Sequence, residues 1–198
     1  DTYFANNADR IYAGGVGTVT TEADIGTNAT SISTIDDVLK ITAAVRDTLD
    51  AEFPVSPIWS DDDSGAKTYV WFVDNTVFSQ IKSAISAQIA QADTRGENNE
   101  LLQNGDLWFD GVVIRLIPEL KGSVLSLTDS SSAAVKIHRS FICGSQALIL
   151  AYGKEDEIRT QDFDYEFQKG VAITTLRGVK KTTYAGKNFG TFEVLVKE

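Results

Sequence analysis

Between Thr34 and Ile89 the chain reads as one strand held between two one-sided helices, and this order restricts its folds more than any other feature. The run TIDDVLKITAAVRDTLDAEFP opens on Thr34, a good N-cap, followed by Asp36 and Asp37 at the positive end of the helix dipole. Ile35, Val38, Leu39, Thr42, Val45, Leu49 and Phe53 recur at steps of three and four, which predicts a single apolar stripe, and Pro54 ends the helix. TYVWFV is aromatic and β-branched and predicts a strand. DNTVFSQIKSAISAQIAQAD begins with Asp74 and Asn75 as caps and repeats the stripe at Val77, Ile81, Ala84, Ile85 and Ile89. Helices with one apolar face need another layer to cover them, and the rest of the chain supplies mostly strands, so the expected class is α+β.

Elsewhere the signals are more local. DTYFANNADRIYAGG predicts a short helix over Thr2–Tyr12 closed by Gly14 and Gly15, and residues 14–33 read as a Gly-, Thr- and Ser-rich loop with room for one strand. TRGENNELLQNGD is a hydrophilic loop. Asp110-Gly111 marks a tight hairpin before VVIRLI, and the Ser-rich residues 122–135 read as mobile. SFICGSQALILAYG fits either a buried strand or a strand that breaks into a short helix at Gly144. The final stretch from FDYEF alternates through two or three strands, with Ala185-Gly186 as a turn. No internal repeat or separable linker is visible.

With 198 residues, 42% of them hydrophobic, the chain can bury a substantial core as one domain or one domain with two lobes. Its 28 acids against 18 bases argue against duplex binding, which needs a clustered basic face. No apolar run approaches the ~18 residues of a membrane span, so no membrane partner is expected. Cys143 is the single cysteine, which excludes an intrachain disulfide and suits a reducing interior. The chain has no methionine, so residues ahead of Asp1 are expected to have been lost by processing, cloning or trimming.

Each candidate for chemistry has a plainer explanation. His138 and Cys143, five residues apart, point to opposite faces of an extended segment, and Cys143 reads as a small core residue beside Gly144. CGSQA lacks the second glycine of a nucleophile elbow. Asp61, Asp62 and Asp63 do not match a calcium loop and read as a solvated turn. GGVG at 14–17 lacks the third glycine of a dinucleotide site. Asp162, Asp164 and Glu166 alternate with Phe163, Tyr165 and Phe167, as a half-buried edge strand would, although a glycosidase-like pair is open on sequence alone. No catalytic residue, metal ligand or cofactor is therefore expected.

One departure from the acidic average remains. LRGVKKTTYAGKNFG, 176–190, carries Arg177, Lys180, Lys181 and Lys187 and no acid, whereas acids crowd into 36–63 and 155–166. Such segregation suits contacts between copies of one chain, with the acids Asp162, Asp164 and Glu166 meeting those bases. Single-strand nucleic acid binding, with Tyr184 and Phe189 as stacking platforms, is disfavoured by the acidic remainder.

The succession FICGSQALILAYG and DFDYEFQKGVAITTLRGVKKTTYAGKNFGTFEVLV resembles the C-terminal end of the N4-type major capsid proteins of tailed bacteriophages. Upstream, YVWFVDNTVFSQIK, LLQNGDLWFDGVVIRLIPEL and DTYFANNADRIYAGG are similar to earlier parts of that family in the same order, although Asp106 and Trp108 to Asp110 fill the second of these in their own way. The resemblance spans nearly the whole chain and is densest over 139–196. It implies the Hong Kong 97-like fold, with residues 1–65 and 171–198 as a peripheral domain, a spine helix at 34–53, and residues 66–170 as an axial domain with a mixed sheet and flanking helices. Family members are usually about twice as long, so the N-terminal arm and extended loop are expected to be missing, and the present fragment to be monomeric or weakly associated. The resemblance further implies a structural, non-enzymatic shell protein forming pentamers and hexamers of an icosahedral head. Scaffold, portal or decoration proteins would be its partners, and packaged DNA would be held without sequence-specific contact. Its place would be the virion, assembled in the bacterial host cytoplasm. An encapsulin-like compartment shell and a small carboxylate-dependent hydrolase are the alternatives.

Overall fold

A computed structural model describes residues 11–13, 22–47, 56–60, 67–86, 102–103, 106–128, 133–165, 167–184, 187–188 and 190–198. The chain divides into two compact units, Leu148–Thr182 and the remainder, Asp1–Ala147 with Thr183–Glu198.

The larger unit is built on a mixed sheet. Its elements in chain order are β1 (Ile11–Ala13), α1 (Glu22–Asn28), α2 (Ile35–Asp47), β2 (Trp59–Ser60), β3 (Lys67–Val73), α3 (Asn75–Ala84), β4 (Leu102–Gln103), β5 (Asp106–Phe109), β6 (Val112–Leu116), a 3-10 turn (Pro118–Ser123), β7 (Val124–Thr128) and β8 (Ala134–Cys143). After the smaller unit, β9 (Leu148–Phe163) and β10 (Gln168–Lys181), the chain returns as β11 (Thr183–Tyr184), β12 (Lys187–Asn188) and β13 (Thr191–Lys197). The strands run β1-β13-β8-β3-β6-β5-β4, with β2 on β3 and β7 on β8. The pairs β1–β13 and β3–β6 are parallel, and the others in this sheet are antiparallel.

Both faces of the sheet are covered. On one, Tyr69, Trp71, Val73, Ile114, Ile142 and Val194 pack with Val38, Ile41 and Val45 of α2 and Val77, Ile81 and Ile85 of α3. On the other, Val135, Ile137, Leu127 and Leu195 enclose Ile25 and Ala29 at α1. Coverage on two sides explains why β13, TFEVLVK, reads as a nearly unbroken apolar run and not as an alternating one. Each fully buried aliphatic side chain there contributes roughly 1.5–3 kcal/mol.

The sequence expectations meet this fold unevenly. The strand at TYVWFV is present, as are both striped helices over Ile35–Asp47 and Asn75–Ala84, although Leu39 faces solvent and Ile41 takes its place in the core. Leu49, Phe53, Pro54 and Ile89 lie outside the described residues. At the start of α2 the cap is supplied by Asp37 reaching back: its Oδ2 accepts from the Thr34 and Ser33 backbone N–H groups at 3.0 and 3.1 Å. Against a desolvation that would raise it, these hydrogen bonds and those of the two hydroxyls hold the Asp37 carboxyl below its ordinary range. Asp110 and Gly111 form the expected turn, both with positive φ, 50° and 75°.

Four expectations are corrected. Residues 11–13 form a strand instead of the end of a helix, because they pair with β13; residues 1–10 lie outside the described residues. A helix, α1, occupies part of the supposed loop 14–33, since Ile25 and Ala29 find an apolar face to cover. The Ser-rich stretch holds strand β7, paired along β8. The apolar run 148–152 is exposed and not buried, although Ala147 just before it is enclosed. The expected turn at 185–186 lies outside the described residues, though β11 and β12 on either side pair antiparallel. The boundary expected at 170/171 falls inside β10, whose ladder joins residues on both sides of it to β9.

Candidate assembly surface

The smaller unit is a two-stranded antiparallel hairpin, and it carries most of the charged residues singled out by sequence. Asp162 lies near the end of β9, facing Lys169 across the ladder, and Asp164 sits in the turn with φ 52°. Glu166 lies outside the described residues. Arg177, Lys180 and Lys181 lie at the opposite end of the hairpin, on β10, where they pair with Tyr152, Ile149 and Leu148. Lys187 is in β12, in the larger unit, and its side chain is not among those described. The acids and bases expected to meet are thus set at the two ends of one ribbon.

Between those ends, Glu157 pairs with Arg159 at 2.8 Å and with Lys154. The hydrogen bond from Arg159, then that from Lys154, hold the Glu157 carboxyl below its ordinary value. Asp162 and Asp164 are exposed, so these two carboxylates lack the enclosure that acid–base catalysis by paired carboxylates draws on.

The other candidates for chemistry fall into structural places. Asp61 to Asp63 and residues 14–17 lie outside the described residues. Cys143 ends β8 half-buried. His138, buried on the same strand, meets Asp74 and not Cys143: its Nδ1 lies 2.5 Å from Asp74 Oδ2, while Asp74 Oδ1 accepts from the Val77 N–H at 2.9 Å. Asp74 therefore caps α3 and anchors it to the middle of the sheet. Next to it, Trp71 Nε1 donates to Ser140 Oγ at 3.0 Å, which donates to the Val194 carbonyl. On the opposite face of the sheet Arg139 Nε donates to Glu193 Oε1 at 2.7 Å. Burial pushes the Glu193 carboxyl up to about 8 and also lowers the Arg139 guanidinium. Sequence reasoning found Asp74 as a cap but missed both pairs. The signal available was a histidine, and later a glutamate, interrupting otherwise apolar strand positions. Among the described residues no group of three or more His, Cys, Asp or Glu is placed to hold a metal ion.

The larger unit is thus a mixed sheet covered by helices on both faces, and the smaller one a long hairpin. A family model described as phage capsid protein matches residues 2–195, and the chain belongs to that family. Among solved structures it resembles the capsid of cyanophage Pam1, at 25% identity and TM-score 0.69, over 98% of this chain and 55% of that one. The capsid of Ralstonia phage GP4 follows at 20% identity and TM-score 0.63, over 96% and 53%. The acid-stable capsid of Helicobacter pylori bacteriophage KHP30 matches at 17% and 0.55, over 100% and 67%. No curated protein matches. The Hong Kong 97-like capsid fold expected from sequence is therefore established, and the chain spans about half the length of the first two of these capsid proteins.

Proposed function

We propose that this chain is the shell-building part of an N4-type major capsid protein that assembles into pentamers and hexamers of an icosahedral phage head around DNA. The observation that carries the reading is the family match over residues 2–195. The proposed role is structural and needs no catalysis. It places the protein in the virion, after assembly in the host cytoplasm with any scaffold, portal or decoration partners. A net charge of −10 suits a wall that does not trap a packaged genome, so contact with DNA is without sequence readout. The contacts between copies draw on Arg177, Lys180, Lys181 and Lys187 against Asp162, Asp164 and Glu166. In this reading the helix that starts at Ile35 is the spine helix of the peripheral domain and the chain from residue 66 enters the axial domain, while the hairpin falls as one piece on one side of the boundary.

Negative-stain electron microscopy of the full-length protein, with light scattering on the same sample, tests this. Closed shells, or rings of five and six, containing DNA in particles from infected cells are the expected result. Shells filled with protein would point to a cargo compartment, and a monomer at every salt and concentration would overturn the reading.

A further inference from the structure

The hairpin β9–β10 carries exposed apolar side chains along its length, most of them on one face. Its register shifts twice: from Thr174↔Glu157 to Leu176↔Lys154 and then to Arg177↔Tyr152, β9 advances one residue more than β10 each time. Two extra residues on the same strand restore the alternation, so the faces on either side of the bulges coincide. At the base, Leu148, Leu150, Tyr152 and Val179 share one face with Arg177 and Lys181. Toward the tip the same face continues through Ile158, Val171 and Ile173. These apolar side chains are 50% to 70% exposed. The opposite face carries Lys154, Glu157, Arg159, Gln161, Thr174 and Lys180, with Ile149 and Leu176 as its exposed apolar residues.

At the tip the exposure is greater. Tyr165 is 94% and Phe167 86% exposed, and Asp164 and Tyr165 both hold positive φ, 52° and 53°, without being glycine. Positive φ at both residues is the backbone of a tight hairpin turn, and here the turn leaves two aromatic rings exposed. Two strands alone are marginal in water, and exposed apolar surface of this extent marks a docking surface.

Charge identifies the occupant. The base, residues 148–153 and 175–182, holds Arg177, Lys180 and Lys181 and no acid. The tip, residues 160–169, holds Asp162, Asp164 and Glu166 against Lys169 alone. At about 3.4 Å per residue Asp162 lies ~27 Å from Arg177 and ~40 Å from Lys181, too far to meet within one hairpin. We infer that the hairpin is a copy-to-copy clasp: the aromatic, acidic tip of one copy seats on the apolar, basic base of another copy's hairpin. Tyr165 and Phe167 cover the Leu150, Tyr152 and Val179 surface, and Asp162 and Asp164 meet Arg177 and Lys181 at its rim. This rests on the proposed shell-building role.

The test reverses charge in full-length protein. One variant carries Asp162→Lys and Asp164→Lys, a second carries Arg177→Glu and Lys181→Glu, and a third carries all four. The first two are expected to raise the concentration needed for assembly by about tenfold or more, and the third to return it toward wild type. Tyr165→Ser with Phe167→Ser is expected to impair assembly without rescue by charge. Urea unfolding of the dissociated protein, unchanged in all variants, separates assembly from folding. Wild-type particles that form equally well with every variant would overturn the clasp while leaving the shell reading intact. Protection of residues 148–152 from hydrogen exchange in dissociated monomers would overturn it too, by showing the face covered from within one chain. Failure of the wild type to assemble would instead remove the reading on which it rests.

Discussion

Replacing Asp74 should be among the most damaging single changes to the larger unit, because one carboxylate serves two buried partners. Its Oδ1 caps α3 through the Val77 N–H, and its Oδ2 binds His138 Nδ1, with both side chains almost fully enclosed, 2% and 7% exposed. Losing an N-cap costs about 1 kcal/mol. Leaving a buried imidazole nitrogen without its partner costs a further ~1–3 kcal/mol, and His138 Nε2 already lacks one among the described residues. Asp74→Ala should therefore lose roughly 2–4 kcal/mol. Asp74→Asn keeps a capping oxygen and a hydrogen-bonding group toward His138, and should lose less than half of that. Urea unfolding followed by tryptophan fluorescence reads this directly: with a slope near ~2 kcal/mol per molar, the Asp74→Ala midpoint should fall by roughly 1–2 M. A cycle with His138→Ala should show coupling of at least about 1 kcal/mol. An alanine variant within about 0.5 kcal/mol of wild type, or one no worse than the asparagine variant, would refute the argument that this carboxylate ties α3 to the sheet.

Three further outcomes follow from the same geometry. Glu193 has a carboxyl raised by burial to about 8 from an ordinary 4.5, so the folded state holds a proton that the unfolded chain releases; its contribution is full below pH 4.5 and is lost as pH rises through about 8. Wild type should lose stability over that window at no more than about 1.4 kcal/mol per pH unit, and Glu193→Gln should flatten the slope in thermal melts taken from pH 4.5 to 9. Gly190 has φ +80°, and a Cβ there would sit 2.8 Å from the Ala147 nitrogen and the Ser145 carbonyl oxygen, so Gly190→Ala should destabilise by about 2 kcal/mol or more in urea unfolding. Asp110→Ala removes the acceptor of the Thr42 hydroxyl at 2.7 Å from a positive-φ turn and should cost about 1–2 kcal/mol, whereas Asp110→Asn should be nearly neutral.

Local order was legible because it is written in neighbours along the chain. The stripe at Val77, Ile81 and Ile85, the Asp74 cap and the Asp110-Gly111 turn each follow from spacings of four residues or fewer, and each stands in the structure. The charges of the candidate surface were legible too, but not their arrangement. Asp162 and Arg177 are separated in sequence by little more than a turn and a strand, yet hydrogen bonding in the β9–β10 ladder puts them at opposite ends of one ribbon.

What the sequence determined by itself was the α+β class, the two striped helices around TYVWFV and the segregation of acid from base. Tertiary structure alone decided the rest. A strand at Ile11–Ala13 exists because β13, 180 residues later, offers it an edge. LILAY is more apolar than TFEVLV, yet it lies open on a ribbon while TFEVLV is buried between two layers. Composition fixes how much a segment gains by leaving water; only the long-range pairing of strands fixes whether anything is there to cover it.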